Sequence, residues 1–220
     1  MTYIGSDSLG TGFVDAGILV SFTPSVKSRN DALSSILLAQ LAADKKFSRF
    51  DQAGDWYKFY LNTLGDLAWQ ISGFQDRQYE PPDDTFTLEE IFLDVLKKFV
   101  PDTELRLAQE TIRTFAELPR EDRRVKVYED FSLSSYIVDL QVGVSSQSLT
   151  LSTVGILLEV KQEIKNLFKE ELLVTRLVGK IRTLSYGGTL NEVAYAPLRK
   201  AVLTKLGPKR TELILDLGLS

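Results

Sequence analysis

The sequence predicts an α+β fold, a single domain in which a mainly antiparallel sheet packs with about five helices. Three observations predict it. Apolar residues recur at helical spacing through the helix-rich stretch 24–118, alternate with polar residues through the strand-rich stretch 125–186, and return to helical spacing at 189–217. The chain has 220 residues, 44% of them hydrophobic and 25% charged, as is typical of one globular domain.

The first third of the chain predicts a strand, two helices and a second strand. Residues 13–23 are rich in β-branched and aromatic side chains, which favours a strand that Pro24 ends. Apolar residues then recur at helical spacing up to Lys45, where a cation suits a helix C-terminus. The aromatic segment 47–64 predicts a second helix, and the alternation in residues 67–78 predicts a strand.

Two more helices and a group of strands follow. Residues 87–90 fit a capping box, and a second helix starts after Pro101 and stops at Pro119. Residues 125–160 change to a period of two, which predicts two or three antiparallel strands joined as a meander. The polar residues 145–148 supply the turn between two of these strands.

The same alternation predicts a sheet with one solvated face. Gln141 and Ser145 fall on that wet face, whereas the valines and leucines between them face the core. Residues 172–184 predict a further strand, which Gly187 and Gly188 close.

Helical signals return at the C-terminus. Residues 189–192 fit a second capping box, opening a helix that runs to Leu206. Pro197 lies inside this pattern, so it should kink the helix or mark its first turn. Residues 207–208, Gly-Pro, end the helix, and residues 213–217 predict a last apolar turn or helix.

Composition excludes several classes of function. The chain has no histidine and no cysteine, which excludes imidazole or thiolate metal sites, Ser-His-Asp and Cys-His nucleophiles, and disulfide scaffolds. Adjacent carboxylates such as Glu89 and Glu90 are explained by a helix start. We therefore expect no catalytic residues, no metal and no cofactor, and a protein that is not an enzyme.

Charge and the N-terminal residues set expectations for partners and location. The net charge is −4, so we expect no nucleic-acid partner. Residues 161–220 hold 11 basic and 6 acidic side chains against 15 and 24 in residues 1–160, which indicates an electrically polar molecule. The N-terminus shows no signal peptide. We therefore expect cytoplasmic synthesis, and the absence of cysteine also fits a protein released from the cell.

The aromatic segment is the first candidate contact surface. Trp56 and Tyr60 fall on one helical stripe, and Tyr57 and Phe59 cannot share a face with them. The segment must therefore be buried nearly all round or meet a partner or a membrane, and these four residues are candidate contact residues.

Two further stretches supply the remaining candidates. Residues 132–153 hold nine Ser or Thr interleaved with apolar residues, a pattern of half-exposed sheets and also of membrane-inserting hairpins, in which Val142 and Val144 would meet lipid. Arg176, Lys180 and Arg182 share one face of a predicted strand. That face is either solvated or able to steer the protein to a phosphate-rich surface.

One resemblance comes from aromatic spacing and helix caps. Its residues are Asp55, Trp56, Tyr57, Lys58, Phe59 and Tyr60, then Leu64, Trp69 and Phe74, then residues 85–90 and 202–207. With these the chain resembles a family of uncharacterised bacterial and fungal proteins over most of its length, except that residues 161–184 depart from the pattern. The resemblance implies no activity and no catalytic residues.

Together these features favour a non-catalytic protein that acts by self-association or by binding a partner, as an assembly-forming or effector-like protein. The alternative is a membrane-active, pore-forming, toxin-like protein that inserts the Ser/Thr-rich hairpin as part of an oligomer.

Overall fold

An eight-stranded sheet lies between two layers of helices. The computed structural model describes residues 9–146 and 149–219. In chain order the elements are β1 (Thr11–Asp15), β2 (Ile18–Phe22), α1 (Arg29–Asp44), α2 (Ala53–Asp66), β3 (Trp69–Tyr79), β4 (Thr85–Phe86), α3 (Leu88–Leu96), α4 (Asp102–Ala116), α5 (Arg123–Ser132), β5 (Leu133–Ser134), β6 (Ile137–Ser145), β7 (Thr150–Glu159), β8 (Leu172–Leu173), β9 (Ile181–Leu190), α6 (Glu192–Tyr195), α7 (Arg199–Leu206), α8 (Lys209–Leu213) and β10 (Ile214–Asp216).

The strand order in the main sheet is β10-β1-β2-β6-β7-β9-β3, and β5 also pairs with β6. Every pairing is antiparallel except that of β2 with β6, which run parallel with Ile18 opposite Gln141. Strands β4 and β8 form a separate two-stranded sheet. The described chain thus has the α+β class and the mainly antiparallel sheet that the sequence predicts, with eight α-helices rather than about five.

Each face of the sheet has its own hydrophobic core. One core joins the sheet to α3, α4 and α5, and includes Leu140, Val142 and Val144 of β6. The other joins the opposite face to α1, α2 and the C-terminal helices, and includes Trp56 and Tyr60. Because helices cover both faces, the central strands β6 and β7 are buried on both sides.

This double cover overturns the prediction of a sheet with one wet face. Gln141 and Ser145 are buried, with 0% and 1% of their surface exposed. Helices α1 and α2 lie over the face that carries them. The polar residues that alternate along β6 therefore mark a buried polar layer. In the predicted turn at 145–148, Gln147 and Ser148 lie outside the described residues.

Two predicted strands are wrong in their extent or type. Residues 13–23 form the β1–β2 hairpin, because the chain reverses at Ala16, whose φ of 49° is left-handed. The region after residue 120 is helical where alternation was predicted. Asp122 caps α5 there by accepting a hydrogen bond from the Arg124 amide.

The predicted strand at 172–184 is also wrong. Only Leu172–Leu173 is extended at its start, and β9 begins at Ile181 and continues through Gly187 and Gly188. Near the C-terminus, Pro197 separates α6 from α7.

The second predicted capping box is shifted along the chain. Its cap is Asn191, which accepts from the Ala194 amide. Residues 214–216 form strand β10 against β1 where a helix or turn was expected. None of the helices formed by the described residues has the length and apolar content that crossing a membrane requires.

The first capping box gives a direct test of local helix stability. The Glu90 amide donates to Thr87 Oγ1 at 3.2 Å, and the Thr87 amide donates to Glu90 Oε2 at 2.7 Å. We expect Thr87→Ala to lower the free energy of unfolding by about 1 kcal/mol, because it leaves an amide of α3 unpaired. Urea unfolding measures this, with Thr204→Ala on the exposed face of α7 as the control. An equal loss in both variants would contradict the capping role.

Candidate functional site

A buried polar cluster lies between α2 and the centre of the sheet. Asp139 and Gln141 of β6 are both fully buried and face the core formed by α1 and α2. Arg49, from the loop that joins α1 to α2, is 4% exposed and reaches the same place. A carboxylate buried this deeply requires a counter-charge and hydrogen-bond donors.

Arg49 and Tyr57 provide both. Arg49 Nε lies 3.3 Å from Asp139 Oδ2, and Arg49 Nη2 donates to Asp139 Oδ1 at 3.4 Å. The Tyr57 hydroxyl donates to the same Oδ1 at 2.7 Å. The Arg49 guanidinium also lies 4.6 Å from the centroid of the Trp56 ring, in cation–π contact. These contacts join the loop, α2 and β6.

Further polar contacts extend the cluster across the sheet. The Tyr186 hydroxyl lies 3.1 Å from the Tyr60 hydroxyl and 3.3 Å from Gln141 Oε1. On the other side, Gln40 of α1 accepts from the Gly17 amide at 3.1 Å and donates to the Asp15 carbonyl at 2.9 Å. Helix α2 is thereby bonded to β6 and β9, and helix α1 to β1.

Two glycines make room for the cluster. A Cβ at Gly155 of β7 would lie 2.8 Å from the Tyr57 hydroxyl oxygen, and a Cβ at Gly17 would collide with Arg49 Nη1. Any larger residue at either position would displace a group that contacts Asp139. This requirement was not predictable from the sequence, since both glycines look like ordinary turn or strand residues.

Burial controls the protonation of the cluster. Burial raises the pKa of the Asp139 carboxyl, although Arg49 and the hydrogen bond from Tyr57 lower it in part. Burial alone would lower the pKa of Arg49, but Asp139 raises it, so the guanidinium stays charged. Burial also raises the pKa of Tyr57 well above its ordinary value, and that of Tyr186 to about 12. The cluster therefore contains the buried Arg49–Asp139 ion pair, surrounded by the uncharged phenol groups of Tyr57 and Tyr186.

The structure places most of the predicted contact residues in the interior. Trp56, Tyr57 and Tyr60 are between 0% and 2% exposed, and Val142 and Val144 are no more than 1% exposed. In this conformation these five are core residues, because the sheet and α1 cover the three on α2, and α3–α5 cover Val142 and Val144 of β6. Of the two alternatives for the aromatic segment, these three aromatics follow the buried one.

The predicted basic face is divided and paired. Arg176 lies in a 3₁₀ turn, Lys180 in a loop and Arg182 in β9. Their ion-pair partners are Glu170 at 2.7 Å, Glu80 at 3.2 Å and Asp76 at 2.5 Å, respectively. These three cations are therefore neutralised by neighbouring carboxylates of the same chain.

Phe59, the remaining aromatic candidate, opens onto a groove of about 850 Å³ between α1, α2 and the α7–α8 segment. Apolar side chains form its floor and walls: Leu38, Leu41, Ala42, Phe59, Leu206 and Pro208. Four lysines complete the lining: Lys45, Lys46, Lys205 and Lys209. We call this feature the lysine groove.

The four lysines are exposed, and none forms an ion pair with a carboxylate in the described part of the chain. The nearby Asp44 instead accepts a hydrogen bond from Trp56 Nε1 at 2.6 Å. Lys46 Nζ lies 5.2 Å from the centroid of the Phe59 ring. The lining thus combines an apolar floor with four lysines that form no ion pair among the described residues, although the Asp44 carboxylate interacts electrostatically with Lys209.

Sequence reasoning missed the lysine groove because its lysines come from two distant parts of the chain. The only signals were two Lys residues at the end of one helix and two flanking the Gly-Pro at residues 207–208. No group of three acidic residues placed to hold a metal ion occurs within residues 9–146 and 149–219.

Comparison with known proteins adds little. No family model matches the chain, and no curated protein matches it significantly. Among solved structures, one described as the structure of the Evf virulence factor is similar, with a TM-score of 0.34 and 14% sequence identity. The alignment covers 86% of this chain and 77% of that chain. At this level of similarity the comparison assigns no function.

The buried ion pair can be tested with a double-mutant cycle. We expect Asp139→Leu to lower the free energy of unfolding by about 3–5 kcal/mol, because it leaves the Arg49 charge unpaired in the core. Adding Arg49→Met should recover a large part of that loss, as urea unfolding of the four proteins would show. A double variant less stable than Asp139→Leu alone would contradict the coupling.

A second buried carboxylate predicts a dependence on pH. Asp15 of β1 is fully buried, and neither oxygen of its carboxyl has a hydrogen-bond partner among the described residues. Burial raises its pKa well above the usual value. The native state therefore holds this proton more tightly than the unfolded state, and stability falls as pH rises above the unfolded pKa of about 4.

Replacing Asp15 with Asn removes that ionisation. We expect Asp15→Asn to melt at a higher temperature than the natural protein at about pH 8, and the two melting curves to converge near pH 4. Differential scanning calorimetry across this range measures the difference. Asp66→Asn on the exposed end of α2 is the control and should show no such trend. A constant difference at all pH values would contradict the assignment.

Proposed function

We propose that this protein is a non-catalytic binding protein, and that the lysine groove is the surface through which it binds. The observation that carries the proposal is the combination of a recessed apolar floor with four unpaired lysines. An apolar floor favours an apolar group by removing it from water, and the lysines favour a negative charge beside it. The partner is therefore expected to carry both.

The helices that form the groove are held in place by hydrogen bonds to the sheet. Phe59 lies on the outer side of α2, whose inner side is fixed by the bonds of Tyr57 and Tyr60 to the sheet. Leu38 and Leu41 lie on α1, which Gln40 ties to the first hairpin. A binding surface built on helices held in this way needs little ordering when a partner arrives, which lowers the cost of association.

The lining gives little support to catalysis. It contains no carboxylate and no hydroxyl, so acid–base chemistry there would depend on lysine alone. Asp139 and Tyr57, two groups elsewhere whose pKa values are raised, are buried and hydrogen-bonded to each other. Binding accounts for the groove without further assumptions.

The alternatives from the sequence differ in their support. Self-association is one form of partner binding, and a second copy would bring a net charge of −4 towards the lysines. Membrane insertion of the β6–β7 hairpin has less support, because Val142 and Val144 already pack against α3–α5 in one core. Insertion would first have to separate that layer from the sheet.

The dye 1-anilinonaphthalene-8-sulfonate tests the proposed surface, since it joins an apolar ring system to one negative charge. We expect the natural protein to bind it with enhanced fluorescence. Leu41→Glu, which places a carboxylate on the floor, should weaken binding about tenfold or more. The matched control is Leu203→Glu on α7, where the natural side chain is 40% exposed and lies outside the groove.

Equal loss of dye binding in the two variants, or no binding by the natural protein, would contradict the proposal. Melting temperatures of both variants establish that each is folded. Light scattering with and without the dye shows whether binding accompanies a change in oligomeric state, which separates self-association from the binding of a different partner.

A further inference from the structure

We propose that the ligand of the lysine groove is a single-chain anionic amphiphile, with its hydrocarbon chain on the floor and a carboxylate, sulfate or phosphate head group among the lysines. This inference rests on the proposed binding function and names the chemical class of the partner. It follows from the arrangement of charge, the size and depth of the groove, and the position of Lys46 over Phe59.

Charge selects the head group. The lining has four lysines and no acidic residue, and Asp44, which interacts electrostatically with Lys209, lies outside it, so a cationic head would meet mainly like charges. The contrast with Arg176, Lys180 and Arg182 is informative, because each of those cations already has a carboxylate partner in the chain. The groove lysines lack such partners among the described residues, and an anionic ligand would supply one.

The partial burial of the apolar lining favours a ligand that lies between the helices over attachment to a membrane surface. Leu38, Leu41 and Phe59 are half-buried and Leu206 is buried, so the apolar surface is recessed between helices. The large hydrophobic side chains that the described residues leave exposed, such as Val193 and Leu203, all lie outside the groove. A surface made for insertion into a bilayer would instead project such residues.

Size selects a small molecule. A groove of about 850 Å³ lies within the range of small-molecule sites, roughly 300–1,000 Å³. A helix about 10 Å across occupies roughly 400 Å³ per turn, so the groove would accommodate only about two turns of a partner helix. Two turns are the minimum that presents helix anchors from i to i+7, whereas a single alkyl chain with one head group needs no such spacing.

The position of Lys46 joins the two halves of the site. Its Nζ lies 5.2 Å from the centroid of the Phe59 ring, so an ammonium group is held directly beside the apolar wall. Lys45 follows the same end of α1, and Lys205 and Lys209 flank Pro208 on the opposite side. A head group bound between these two pairs leaves its chain beside Leu41 and Phe59.

The test compares decyl sulfate, decyltrimethylammonium and decyl maltoside, each below its micelle concentration, by isothermal titration calorimetry. We expect decyl sulfate to bind with one-to-one stoichiometry, and decyltrimethylammonium about tenfold more weakly. Octyl sulfate should bind roughly fifteenfold more weakly than decyl sulfate, because each methylene contributes about fourfold. Added salt should reduce the preference for the anion.

Variants separate the head from the chain. Lys45→Gln with Lys209→Gln should weaken decyl sulfate binding, by up to about fivefold for each lysine, while leaving decyl maltoside binding unchanged. Leu41→Glu should weaken both. Lys58→Gln with Lys200→Gln, at exposed lysines of α2 and α7 outside the groove, is the matched control. Saturating decyl sulfate should raise the melting temperature, and a fall would overturn the inference.

The remaining outcomes separate this inference from the function it rests on. If the anilinonaphthalene dye binds in the groove but decyl sulfate binds no better than decyltrimethylammonium, the ligand class is wrong and the binding function stands. If neither the dye nor any decyl compound binds, both fail. Co-sedimentation with phosphatidylglycerol vesicles, without binding of monomeric decyl sulfate, would overturn the inference in favour of a membrane surface. Dimerisation that depends on the groove, without binding of decyl sulfate, would overturn the inference in favour of a second copy of this chain as the occupant.

Discussion

The structure depends on the neutralisation of one carboxylate. Asp139 lies in the middle strand of a sheet that is covered on both faces, where an unpaired charge would be strongly destabilising. Arg49 supplies the counter-charge, and Arg49 and Tyr57 both donate to Asp139 Oδ1; they come from the α1–α2 loop and from α2. The position of that helical layer over the sheet is therefore tied to this contact. The ion pair favours this one arrangement over a slide of the helices along an otherwise apolar face.

The same contact determines which parts of the aromatic segment are available to solvent. With Tyr57 and Tyr60 turned towards the sheet, Phe59 is the aromatic residue of that segment that opens onto the lysine groove. Of the four candidate contact residues in the segment, Trp56, Tyr57 and Tyr60 are buried and Phe59 lines the lysine groove. These four aromatic residues cannot share one face of α2. The structure accommodates them because the sheet and α1 cover α2 on two sides.

Elements with a strong local signal were predictable, and elements defined by tertiary contacts were not. Helices α1 to α4, strand β3 and the Thr87 capping box follow from local spacing and cap chemistry. Strand β10 was not predicted because its extended form depends on pairing with β1, which is distant in the sequence. The prediction of a solvated face on β6 was wrong because alternation of apolar and polar residues cannot distinguish a solvated face from a buried polar layer. The lysine groove was not predicted because its lysines converge only after α1 and the C-terminal helices pack.

Pairing of β1 with β10 and of β2 with β6 has a consequence for synthesis on the ribosome. The β1–β2 hairpin is synthesised before its partner strands, so Ile18 waits for Gln141 and Phe13 waits for Asp216. Both outer edges of this apolar hairpin are unpaired until β6 emerges, and the β1 edge stays unpaired until β10 emerges, a state prone to edge-to-edge aggregation. Completion of the sheet therefore waits for β10 and involves contacts of high contact order. Premature termination anywhere before β10 yields a nascent chain with an open edge.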